Sequence, residues 1–203
     1  MKLIASIDND CRCLEHYFRK MFAVLRESSA EDRAVPVEVL DCDADESQAT
    51  YHSFTHFIKP DMLMNIYSLI DFWMNRIFEY QKDKMNLDFE YRDLKKLKGN
   101  NDLDNFRKFL EEYTGIDPTA VQASIKHLDD LRKVRNRFIH AGGHVLSGKE
   151  ADFLNIKGIS LFMSLIIVDD SFIWDSLEHA KKYLQAATLA EQVNEPDRNK
   201  VRS

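Results

Sequence analysis

Glycine and proline are both scarce, at 6 and 4 residues in a chain of 203. A turn-rich all-β fold consumes many of each, so the shortage points to helices. Positive charge is short as well. Lys and Arg number 28 against 34 Asp and Glu, a formal net charge of -6. Coating nucleic acid regardless of sequence needs bulk positive charge. The net charge therefore argues against that class of function, although it does not exclude a small basic patch. Cysteine is rare and odd in number: Cys11, Cys13 and Cys42. Cys11 and Cys13 are too close for an ordinary disulfide and do not form a CxxC pair, and no paired-cysteine zinc pattern exists. Reduced thiols in a cytoplasmic protein are the simplest reading. No apolar run reaches membrane length. Met1-Lys2-Leu3-Ile4-Ala5 is cut short by Asp8 and Asp10, so no signal peptide is expected. Nothing repeats at a fixed period. A phosphate loop, a Gly-rich dinucleotide turn and a catalytic Ser or Cys setting are all missing, so no cofactor is expected.

What is present is ordinary for a globular domain: 44% hydrophobic and 31% charged residues, enough for one good core. The expectation is one mainly α domain over 1–203. Its core lies at about 48–187, with an N-terminal helix and extended segment over 1–47 and a flexible tail over 192–203.

Asp8-Asn9-Asp10 reads as a cap before a helix through Leu14, Phe18, Phe22 and Leu25, broken at Ser28 to Arg33. Val35 to Leu40 reads as extended and Asp41 to Gln48 as an acidic loop. A helical pattern from Gln48 to Lys59 precedes Pro60, which suits the first turn of a new helix running to about Lys82. This is the most apolar helix in the chain. Its polar residues Asp61, Asn65, Ser68, Asp71, Asn75, Arg76 and Glu79 fall in one narrow stripe at 100° per residue, expected to face a cleft or a partner.

Asp83 to Asn101 reads as a charged loop with a short helix, and Leu103 to Tyr113 as a helix ending at Gly115. Asp117-Pro118-Thr119 opens a helix from Ala120 to His140. Ser147 to Asp152 reads as a loop. Ile156 to Leu161 and Leu165 to Val168 are apolar and branched enough for a short β-hairpin, though helix also fits. Asp169-Asp170-Ser171 caps a last helix through Phe172, Trp174, Leu177, Ala180, Tyr183 and Leu184.

Arg135 is the anomaly. Its helical neighbours three and four residues away are Leu131, Arg132, Phe138 and Ile139. Three of the four are apolar, so a guanidinium projects from the face that should be buried, and an Arg is almost never buried alone. His140 lies one turn after Asn136, just before the Gly142-Gly143 helix stop. A desolvated cation beside an imidazole at a helix end is a pairing able to handle phosphate.

Arg135-Asn136-Arg137-Phe138-Ile139-His140 resembles the Arg-x4-His signature of HEPN (higher eukaryotes and prokaryotes nucleotide-binding) domains, in which a polar residue often follows the Arg. The order of elements, a long central helix, a late motif helix, a loop and a closing helix, is similar over roughly Pro60 to Ala187. The resemblance implies a HEPN-like helical bundle and a metal-independent endoribonuclease acting as a homodimer, in toxin–antitoxin or phage-defence systems. Cleavage through the 2'-hydroxyl needs a base, an acid and a fixed cation at phosphorus. His140 would transfer protons, Arg135 would stabilise the phosphorane and Asn136 would orient the ring or bind phosphate. Two copies across a twofold axis would bring two His and two Arg into one cleft.

Arg132, Lys133, Arg137 and His144 are candidate RNA-binding residues. Arg137-x6-His144 is also a second, looser match to the motif. Asp71 on the central helix, with Ser68 and Asn75 beside it, is a candidate partner for Arg135. RNA, a second copy and an antitoxin or other protein are the expected partners, without a membrane. Some family members carry a Tyr two residues after the His, where a partner nucleotidyltransferase modifies them; here that position is Gly142. The alternative, from a different class, is a catalytically inactive interaction or nucleotide-binding module. His52/His56 and His140/His144 have helical ligand spacing, but zinc needs further ligands and Gly142-Gly143 breaks the second pair, so no metal is expected.

Overall fold

Apolar residues recurring every three to four positions dictate a helical protein, and the computed structural model is mainly α-helical. It describes residues 2–34 and 44–190, with side chains described for 2–27 and 57–190. The elements are α1 (Lys2–Ala34), α2 (Ala44–Met85), a 3-10 turn (Tyr91–Leu97), α3 (Asp102–Phe109) continued by a π-turn (Leu110–Thr114), α4 (Pro118–Ala141), a one-turn α5 (Ala151–Leu154), strands β1 (Ile159–Phe162) and β2 (Leu165–Val168), and α6 (Asp170–Leu189). No helix among the described residues is long and apolar enough to cross a membrane. The expected extended segment Val35 to Leu40, Cys42 and the tail over 192–203 lie outside the described residues.

Four helix limits differ from the sequence reading. Asp8-Asn9-Asp10 lies inside α1 rather than capping it, and α1 does not break at Ser28. The apolar period explains the first difference: Ile7, Cys11, Phe18, Phe22 and Leu25 are all buried, and burying that line outweighs a local capping preference. The acidic stretch read as a loop is helical from Ala44, and Pro60 sits within one continuous α2 instead of opening a new helix. Pro60 is buried. The burial of Met62, Leu63, Ile66, Tyr67, Ile70, Trp73, Met74, Ile77 and Phe78 holds the helix together through a residue that removes one of its hydrogen bonds.

The chain forms two compact units. One comprises 2–9, 68–129 and 178–190 of the described residues. Its core is aromatic: Phe78 meets Phe109 at 4.9 Å between ring centroids, and Phe106 meets Tyr183 edge-on at 6.3 Å. Gln81, 1% exposed, donates to the Ala187 carbonyl at 2.9 Å, so a buried amide is matched to helix backbone. Asp8 accepts from Gln185 at 2.6 Å and lies 3.3 Å from the Lys181 ammonium. The Tyr183 hydroxyl is buried and has no hydrogen-bond partner among the described residues. Burial pushes its phenol well above the usual range. An unmet buried hydroxyl costs stability, whereas removing it leaves the ring packing in place. Tyr183→Phe is therefore expected to stabilise the protein by about 1 kcal/mol, read as a higher urea midpoint at unchanged slope.

The other unit comprises 10–34, 44–67 and 130–177 of the described residues. Phe18, Phe22, Met62, Leu63, Ile66, Leu131, Val134, Phe172 and Ile173 fill its core. The sequence left hairpin and helix open over 156–168; the structure forms the hairpin. Ile159 pairs with Val168 and Phe162 with Leu165 in an antiparallel register. Val168, Ile166 and Ile159 point inward, while Phe162 and Ile167 are exposed, the alternation of a half-covered sheet. Gly158, at φ +81, lets the chain pass close to α6: a Cβ there would lie 2.9 Å from the Phe172 Cβ.

Candidate functional site

Helix α4 opens where its sequence signal lies, with the Asp117 carboxylate accepting from the Thr119 N–H at 2.9 Å. Val121, Leu128, Leu131, Val134 and Phe138 form its buried line. At the other end the Gly142 N–H bonds the Phe138 carbonyl and the Gly143 N–H bonds the Arg137 carbonyl, at 3.0 and 3.2 Å. The chain then joins the hairpin. Ile166 N–H donates to the Gly143 carbonyl at 3.0 Å, Val145 N–H donates to Ser164, and His144 pairs with Leu165 as an isolated bridge. The motif therefore ends on a helix terminus anchored to β2.

Gly143 makes this junction. It has φ +85, and an added Cβ would sit 2.6 Å from the Phe138 ring. Left-handed strain and overpacking act together there. Gly143→Ala is expected to destabilise the protein by about 2–4 kcal/mol, read by urea unfolding, with Gly142→Ala as a partner variant that meets no atoms within 4 Å.

Arg135 is half-buried. Its guanidinium carbon lies 4.8 Å from the centroid of the Tyr67 ring, which is itself 7% exposed. Its Nη1 donates to the Asn136 Oδ1 at 2.9 Å, while its Nε is buried without a hydrogen-bond partner among the described residues. The aromatic face and the amide oxygen replace part of the water the cation has lost. Tyr67 was read only as part of the apolar run of α2. Nothing in the sequence distinguishes it from the other apolar residues there, because its role comes from a neighbour far along the chain.

The remaining candidates fall in different places. Asn136, half-buried, gives its oxygen to Arg135 and keeps its amide NH2 as a donor. His140 is exposed and makes no hydrogen bond or ion pair with the described residues. No hydrogen bond joins Arg135 to His140 within the chain. Arg137 is half-buried and its Nε, too, is buried without a hydrogen-bond partner among the described residues, more enclosed than its position on the polar face suggests. Lys133 is exposed and paired with Asp130 at 3.1 Å, so part of its charge is answered locally. Arg132 is half-buried. His144 is exposed, its Nδ1 3.1 Å from the Ser164 hydroxyl. Ser68, Asp71 and Asn75 are exposed along α2 and belong to the first unit, whereas Arg135 belongs to the second.

Arg135, Asn136 and Tyr67 thus make a preorganised cation, and His140 is an imidazole unengaged among the described residues at the end of the same helix. Such a set can offset charge building on a phosphate and move a proton, provided that substrate or a second chain brings the groups together. Comparison with protein-family models, with curated proteins and with solved structures finds no match to this chain. The chemistry of the site has to be argued from its own geometry.

Proposed function

We propose that the protein is a metal-independent endoribonuclease of HEPN type. In this reading it works as a homodimer with a composite site, within a toxin–antitoxin or phage-defence system. The observation that carries the reading is Arg135: a guanidinium held against Tyr67 and tied to Asn136, with a buried Nε that has no hydrogen-bond partner among the described residues. Holding a cation in that state costs free energy unless it serves an anion.

The 2'-hydroxyl oxygen of RNA attacks the adjacent phosphorus and the 5'-oxygen departs. One His140 takes the 2'-proton and the His140 of a second copy donates a proton to the 5'-oxygen, leaving a cyclic phosphate and a 5'-hydroxyl. Arg135 faces the charge that gathers on the non-bridging oxygens. The Asn136 amide and Arg137 grip the phosphate, and Arg132, Lys133 and His144 extend the contact to flanking nucleotides. The test is labelled RNA incubated with the purified protein in EDTA. Cleavage that depends on both Arg135 and His140 supports the enzyme, and intact RNA with a folded dimer overturns it.

A second reading, an interaction module that cuts nothing, draws on the hairpin tip. Phe162 and Met163 are 65% and 88% exposed there, an apolar pair of the kind that marks a contact surface. Intact RNA in the same assay, with the folded protein, favours this reading.

A further inference from the structure

Beyond the motif helix, the second unit holds a cavity of about 370 Å³ lined by Arg19, Phe22 and Arg26 of α1 and by Asp170 and Trp174 of α6. The volume is at the lower end of the range for small-molecule sites, roughly 300–1,000 Å³. Its walls are chemically mixed in an informative way. Trp174 is half-buried and packs against Phe22 at 5.5 Å between centroids and against Phe18 at 6.1 Å, so the indole is held in place. The Arg19 guanidinium lies 5.6 Å from the Trp174 ring centroid and pairs with Glu15 at 2.6 Å. That Arg side chain is 68% exposed, so it can swing once its bonds to Glu15 are exchanged for a ligand. Arg26 is exposed and makes no hydrogen bond or ion pair with the described residues. Asp170 bonds the Lys59 ammonium through Oδ1 at 2.9 Å, and its other oxygen makes no hydrogen bond among the described residues.

We propose that this cavity binds a guanine nucleotide, as a free nucleotide or as an unpaired guanosine of RNA. A flat π surface, cations beside it and a carboxylate at the wall match the three parts of that ligand. The base stacks on Trp174, with Arg19 moving to cover its other face. The phosphate goes to Arg26, the guanidinium without a partner among the described residues. Asp170 accepts from N1–H and the 2-amino group, two adjacent donors that guanine alone presents to a carboxylate, whereas adenine sets an acceptor beside its single amino group. Glu15 answers Arg19 and Lys59 answers Asp170, which leaves the Arg26 charge to favour an anion. The proposal does not depend on RNA cleavage, and its test uses a chain that cannot cut by the proposed mechanism.

The experiment is fluorescence quenching of Trp174 in the full chain carrying Trp73→Phe and His140→Ala, so that one indole reports. GMP, AMP, CMP and ribose 5-phosphate are titrated, followed by single-stranded hexaribonucleotides of uridine with and without one guanosine. GMP is expected to quench saturably and to bind at least about tenfold more tightly than AMP. Arg26→Glu should weaken GMP by about tenfold or more while moving the thermal midpoint little, since its side chain is exposed. Asp170→Asn should bring GMP and AMP within about threefold of each other. Tighter binding of the guanosine hexamer than of GMP assigns the site to RNA; the reverse assigns it to the free nucleotide. No saturable quenching by GMP up to about 10 mM, an unaffected Arg26→Glu chain, or equal binding of all the nucleotides overturns the proposal.

Discussion

Arg135→Ala is expected to lower single-turnover RNA cleavage by about 10²–10³-fold, the usual effect of removing one fixed electrostatic donor from a transition state. The loss should fall on the chemical step, because Arg132, Arg137 and Lys133 remain to hold the RNA. Stability should change far less. The stacking on Tyr67 and the bond to Asn136 together contribute on the order of 1–2 kcal/mol, and the variant also removes a buried Nε that has no partner. Arg135→Lys separates charge from shape. An ammonium keeps the charge but cannot lie flat on the tyrosine ring or present a planar fork to phosphate oxygens, so it should recover only a small part of the rate. Tyr67→Leu keeps a buried apolar side chain and removes the π face beneath the guanidinium, and should reduce cleavage with Arg135 still present. Cleavage within about threefold of the unaltered protein in Arg135→Ala would remove the catalytic role.

How far these features could be read from sequence depends on how local their causes are. The Asp117-Pro118-Thr119 start of α4, its Gly-Gly stop and the inward placement of Arg135 follow from spacing along one helix, and all three are legible. The hairpin was only half legible, since a four-residue apolar run such as Leu165 to Val168 suits a strand or a buried helix until its partner strand is known. Pro60 was misread because its local preference for a first helical turn is outweighed by the burial of the residues that follow it. Asp8-Asn9-Asp10 was misread for the same reason, with Ile7 and Cys11 buried on either side. Tyr67 beneath Arg135 was not legible, nor was Trp174 beside Arg19 and Arg26, which read as one more core position of the last helix. Each of these pairs joins residues more than sixty positions apart, and no periodicity within one helix encodes them.

His140→Ala tests the part of the reading that rests on two chains. The imidazole is exposed and bonded to nothing described, so its loss should leave stability within about 0.5–1 kcal/mol. Cleavage should fall by about 10²–10⁴-fold, the range for a missing general acid or base. If one cleft needs an imidazole from each copy, a dimer with a single His140 lacks either the base or the acid and is nearly as slow as one with none. Wild-type chain mixed with the variant and left to exchange subunits then loses activity as the square of the wild-type fraction. An equal mixture should retain about a quarter of the activity at fixed total protein, because only that share of dimers is wild type on both sides. A site complete within one chain predicts half. The measurement is initial cleavage rate against mixing ratio, with the dimer population checked by sedimentation. A straight line through the mixing series would put both proton transfers within one chain and refute the composite cleft, whatever the single variants do.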